Sequence, residues 1–167
     1  MVRKKEIEVL LLVERVDEWI MSFMQDFDGK SFQSIAKGDL DLGDLEDEQE
    51  KEEAKKSQEQ HKELLERMQK ALGDKVKDVR ITHRLTDSPA CLVADDNDMS
   101  ANLERMLKAA GQQVGGSKPI FELNPEHPMV VRLKDEADDA RFEDWSSILF
   151  DQALLAEGGQ LEDPASM

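Results

Sequence analysis

The sequence predicts an α+β fold, a small mixed or antiparallel sheet packed with helices and followed by a C-terminal helical element. Three observations carry that prediction. Short runs rich in β-branched and apolar residues recur at 76–81, 90–93, 120–123 and 129–133, the pattern of short strands. Between them, 64–72, 99–110 and 137–157 repeat their apolar residues at helical spacing. The chain of 167 residues with 39% hydrophobic content is long enough for one core that removes roughly 70% of the unfolded surface from water.

Residues 7–13 form a nearly continuous β-branched and leucine run, which suits a strand covered on both faces. Residues 17–27 then have helical character, with Val16, Trp19, Phe23 and Phe27 on one side. Asp28-Gly29 is expected to end that helix, and 31–36 to return as a short strand. Residues 1–38 thus read as a strand-helix-strand piece of a larger domain, in which Trp19 either packs or faces outward.

In 39–53, nine of fifteen residues are acidic and Lys51 is the only base, so 39–60 is expected to be an acidic linker feeding a solvated helix. Apolar spacing begins at Leu64, Leu65, Met68, Ala71 and Leu72, with Glu63–Arg67 and Glu66–Lys70 pairs in support. Gly73 closes that helix.

The stretch 84–111 is the most informative. It runs from a buried-looking β segment through the acidic turn 95–98 into a helix that places Met99, Leu103, Met106, Leu107 and Ala110 on one arc. Asp98 or Asn97 is expected to cap its start and Gly111 to end it. A methionine-rich face repacks against differently shaped partners, so this stripe either seals against its own domain or touches something else. In the last long helix, about 137–157, Phe142, Trp145, Ile148, Leu149, Phe150, Ala153, Leu154 and Leu155 cover more than half the circumference. A single core needs a stripe of only about 100°. The helix is therefore either central to its domain or shared between two surfaces. Asp163-Pro164 announces one more helix start, but Ala165, Ser166 and Met167 cannot complete a stable turn.

A net charge of −16 repels phosphate backbones, so nucleic acid is not an expected partner. The longest apolar run, 9–13, is five residues where a membrane helix needs about 20; no membrane partner and a cytoplasmic location follow as expectations. The basic opening 1–5 precedes a strand-like run rather than an apolar signal core, so the chain is expected to start inside a larger protein. Cys91, the only cysteine, lies in an apolar run and is expected to be an inert buried thiol. His61, His83 and His127 lack metal-ligand spacing, Gly115-Gly116-Ser117-Lys118 lacks the frame of a phosphate loop, and no nucleophile elbow is present. No catalytic or metal residue is assigned.

Several segments, in order, resemble the heat-shock protein 90 chaperones, most of all their bacterial branch. They are Arg84-Leu85-Thr86-Asp87-Ser88-Pro89 with the helix after it, Phe121-Glu122-Leu123-Asn124-Pro125-Glu126-His127-Pro128, and Asp151-Gln152-Ala153-Leu154-Leu155-Ala156-Glu157-Gly158 through Leu161-Glu162-Asp163-Pro164. Upstream, Ile7-Glu8-Val9-Leu10-Leu11-Leu12, Val16-Asp17-Glu18-Trp19 and Asp26-Phe27-Asp28-Gly29-Lys30 resemble the tail of that family's middle domain. The resemblance implies that 1–38 is this tail and that 61–167 is the C-terminal dimerisation domain with its final helix missing. It implies unfolded or partly folded client proteins as partners, met by Met99, Leu103, Met106 and Leu107 with Trp19 opposite. It also implies a homodimer through Phe142, Trp145, Leu149, Phe150, Leu154 and Leu155, weakened or altered without the last bundle helix. ATP and magnesium are implied as cofactors of the full-length protein. The nucleotide-binding domain is expected upstream, leaving this chain without cofactor or ATP hydrolysis. A competing expectation is an acidic interaction module that binds basic partners through 39–53.

Overall fold

The computed structural model describes residues 8–38, 48–96, 98–112, 115–161 and 164. The acidic stretch 39–47 and the Asp163 helix start lie outside them. The fold is α+β, as its sequence pattern implies.

At the N-terminal side, helix α1 (Arg15–Phe23) starts where the Glu14 backbone N–H donates to the Asp17 carboxylate at 2.9 Å. Strands β1 (Asp26–Phe27) and β2 (Lys30–Ser31) pair antiparallel. Asp28 and Gly29, at φ 51° and 73°, are the preferred residues of a two-residue hairpin turn. Asp28-Gly29 therefore turns a hairpin instead of ending a helix, and the expected strand over 31–36 contracts to Lys30–Ser31. The expected buried strand over 7–13 is also corrected: residues 8–13 form no strand and Leu11 and Val13 are 82% and 84% exposed. β propensity expresses itself only against neighbouring strands, and among the described residues none pairs with this run.

Helices α2 (Glu48–Gln60) and α3 (Lys62–Leu72) follow, α3 ending at Gly73 with φ 51°. α3 buries Leu64, Met68 and Leu72, the i, i+4, i+8 face its spacing requires. Arg67 reaches across to Asp139 at 2.6 Å and the Glu136 carbonyl, and lies 3.9 Å from the centre of the Phe142 ring.

Strands β3 (Asp78–Ile81), β4 (Ala90–Val93) and β5 (Ile120–Leu123) form a mixed sheet in the order β3-β5-β4. β5 runs parallel to β3 and antiparallel to β4. All four of its residues are buried. Phe121 and Leu123 join the apolar core with α3, helix α5 (Pro128–Lys134) and helix α6 (Asp139–Ala156). Phe121 meets Phe150 edge to face at 5.8 Å. Glu122, alternating to the opposite side, is 1% exposed and bonded to Arg80 and Arg84.

The strand expected over 129–133 is instead α5. Pro128 sits in its first turn, His127 Nδ1 accepts the Met129 N–H at 3.2 Å, and Val130 and Leu133 are buried three residues apart. Proline and cap set the helix start, and Val130-Val131 imitates a strand only in composition. α6 opens with the Asp138 carboxylate accepting from the Arg141 N–H at 2.9 Å. It buries Phe142, Ser146, Leu149, Phe150 and Ala153.

Phe142→Ala should cost about 3 to 5 kcal/mol, the range for deleting a buried aromatic side chain, because the ring is 1% exposed and Arg67 stacks on it. Urea unfolding of both forms measures the difference; a loss under about 1 kcal/mol would show that this contact does not organise the core.

Candidate functional site

The candidate surfaces occupy three helices. α4 (Ala101–Ala109) is capped two residues past Asp98. Ser100, in extended backbone, accepts the Leu103 N–H on its hydroxyl at 3.1 Å, which corrects the assignment to Asp98 or Asn97. A serine at this position satisfies a free amide without adding charge to the acidic turn. Gly111 at φ 78° leaves the helix as expected.

Met99, Leu103, Met106 and Leu107 are half-buried, and Ala110 is exposed. None belongs to the buried core. The stripe is thus neither sealed nor free. Along the polar side, Lys108 pairs with Glu104 at 2.6 Å, and the Ser117 hydroxyl donates to Glu104 at 3.2 Å. Arg105 donates from Nη1 to the Glu157 carbonyl at 2.7 Å, supplying a cation at the negative end of α6. Burial raises the Glu157 carboxyl above the ordinary carboxylate range, and the Arg105 charge opposes the shift.

On α6 the six residues singled out from the sequence separate. Phe142, Leu149 and Phe150 lie in the apolar core, and Leu154 packs half-buried against it. Trp145 and Leu155 remain 47% exposed, as does Val131 on α5. The helix is wide in apolar residues because one face builds the core while the other stays outside. Trp19 on α1 is 48% exposed.

Sequence reasoning passed over Glu122, Arg80 and Arg105. Glu122 interrupts an otherwise apolar strand and faces Arg80 in register, and opposite charges at paired positions of a buried sheet are the signal that points to them. Cys91 faces Glu122, its Sγ 3.7 Å from Oε2. Burial first, then the Glu122 charge, pushes the thiol up to about 12, against the pull of Arg84. Among the described residues no group of His, Cys, Asp and Glu is arranged to hold a metal ion, and no helix is long and apolar enough to cross a membrane.

The Hsp90 protein family model matches residues 1–167. The chain belongs to the Hsp90 family. It is similar to chaperone protein HtpG of Dechloromonas aromatica, 63% identical over 163 residues that make up 98% of this chain and 25% of that protein. Chaperone protein HtpG of Nitrosomonas eutropha is 66% identical over 164 residues, again 98% of this chain and 25% of the relative. That of Nitrosococcus oceani is 60% identical over 163 residues, with 98% and 26% coverage. This Hsp90-family chain spans about a quarter of the length of the curated relatives it matches. The same match corrects one expectation. The expected absence of ATP hydrolysis rests on a missing nucleotide-binding domain, but the Hsp90 family model covers the chain from end to end, and that absence does not follow.

The Cys91 environment sets a checkable rate. At neutral pH the folded chain should react with iodoacetamide at least about 100-fold more slowly than the urea-unfolded chain, because the thiolate is the nucleophile and burial suppresses it. Equal rates would show that Cys91 is open to water.

Proposed function

We propose that this chain is the part of an ATP-dependent molecular chaperone that joins two subunits and contacts unfolded or partly folded clients. One observation carries the reading: α4 and α6 both retain apolar side chains outside the core, a half-buried Met99, Leu103, Met106 and Leu107 stripe and a half-exposed Trp145 and Leu155 ridge. Residues 61–167 are assigned as the C-terminal dimerisation domain, and 1–38 as the tail of the middle domain.

The client surface is α4, with Trp19 on the opposing wall. Two methionines among four contact residues favour clients of varied shape, since thioethers adapt without strain. The dimer surface is narrowed to the outer side of α6, where Trp145 and Leu155 remain half-exposed. Phe142, Leu149 and Phe150 act on it indirectly, by fixing the helix against the sheet. A half-exposed tryptophan on a long helix matches the composition of interface cores. ATP and magnesium are assigned to the whole chaperone, which would work in the cytoplasm.

Met99→Ser with Met106→Ser should raise the concentration of chain needed to suppress client aggregation by about tenfold, the equivalent of 1.4 kcal/mol. Suppression should persist at 1 M salt, where screening acts beyond about 3 Å; loss at high salt would favour capture by the acidic residues 39–53 instead. Trp145→Ser with Leu155→Ser should weaken self-association about tenfold or more in sedimentation equilibrium. An unchanged dissociation constant would remove the α6 assignment.

A further inference from the structure

The part of the chain carrying α1 is attached to the sheet through charge rather than apolar burial. Trp19, Phe23 and Phe27 are exposed, and Ile35 is 52% exposed. Residues 35–38 nevertheless pair with the chain just past the end of β4. Lys37 bridges Ala94 in parallel, the Gly38 N–H donates to the Ala94 carbonyl at 2.8 Å, and the Ala94 N–H donates to Ala36 at 3.1 Å. Glu122 is linked to them through two arginines. Arg80 donates from Nε to Oε1 of Glu122 at 2.8 Å, and Arg84 Nε is 2.8 Å from Oε2. The same two guanidinium groups reach the segment above: Arg80 Nη2 donates to the Gly38 carbonyl at 2.7 Å, while Arg84 donates to Gly38 at 3.0 Å and to Ile35 at 2.7 Å.

We propose that Arg80, Glu122 and Arg84 form an ionic latch that holds residues 35–38 on the sheet, so that opening it frees the α1 part while the sheet and helices stay folded. Glu122 fixes the two arginines, and their remaining N–H groups grip backbone carbonyls, which any sequence at 35–38 presents. Separating this joint exposes polar groups that water resolvates and little apolar area, whereas the core on the other face of β5 is untouched. The joint ends at Ala94, five residues before Met99. The latch therefore ties the Trp19 side of the chain to the segment that leads into α4. Arg84 and Arg80 are positioning residues; neither is assigned a ligand.

Hydrogen exchange and Cys91 alkylation on the whole 167-residue chain test the latch. Arg84→Gln removes both the Gly38 and Ile35 contacts while leaving Arg80 on Glu122. The Gly38 and Ala94 amides should then exchange at least about tenfold faster with α3 and α6 amides unchanged. Cys91 should alkylate faster as well. Arg84 lowers the thiol pKa, so loss of its charge alone would slow the reaction and faster labelling reports opening. Arg84→Lys provides a second variant that keeps the positive charge beside Glu122 and Cys91 but, with one ammonium in place of a fork of donors, cannot bond Glu122, Gly38 and Ile35 together; it decides the matter if Arg84→Gln does not fold. Selective opening in either folded variant supports the latch. Unchanged junction amides, or junction and helix amides speeding up together, would overturn it.

Discussion

The burial of β5 on both faces is the constraint from which the rest of the structure follows. One face carries Phe121 and Leu123, each fully buried, and demands a layer of helices; α3, α5 and α6 supply it. The other face carries a carboxylate at 1% exposure. An ionised group there is costly to desolvate unless charge and hydrogen bonds replace water, and Arg80 and Arg84 do so. The apolar demand fixes which sides of α3 and α6 turn inward. The ionic demand fixes where residues 35–38 lie.

The same constraint explains what was legible in the sequence. Met68 and Leu72 on α3, and Phe142 and Leu149 on α6, announce a helical face whose destination is the sheet, and they arrive there. Gly73 and Gly111 end their helices because both adopt positive φ. Where local composition has two uses, reading fails. Val130-Val131 resembles a strand, but Pro128 and His127 decide for a helix; 8–13 resembles a strand, but a strand exists only through a partner. Asp28-Gly29 serves a helix end or a hairpin equally well, and the pairing of Asp26 with Ser31 is a non-local fact.

The candidate surfaces were legible as helices and only partly as surfaces. Periodicity places Met99, Leu103, Met106 and Leu107 on one arc, yet the half-burial of that arc is a matter of where α4 sits against the rest of the chain, which periodicity does not contain. Apolar breadth on α6 shows that two surfaces share the helix, without saying which residue serves which. In the fold, Phe142, Leu149 and Phe150 belong to the core and Trp145 and Leu155 stay outside it. The use proposed for these outer residues draws on membership of the Hsp90 family as well as on geometry.

Hydrogen exchange of the chain with and without an unfolded client measures the central claim most directly, namely that the apolar arc of α4 is left for another polypeptide to cover. Slowed exchange across 103–107 on client addition, with α2 at its free rate, is the expected result. Protection confined to Glu48–Gln60, with α4 unchanged, would contradict the account and leave α4 as packing for its own domain.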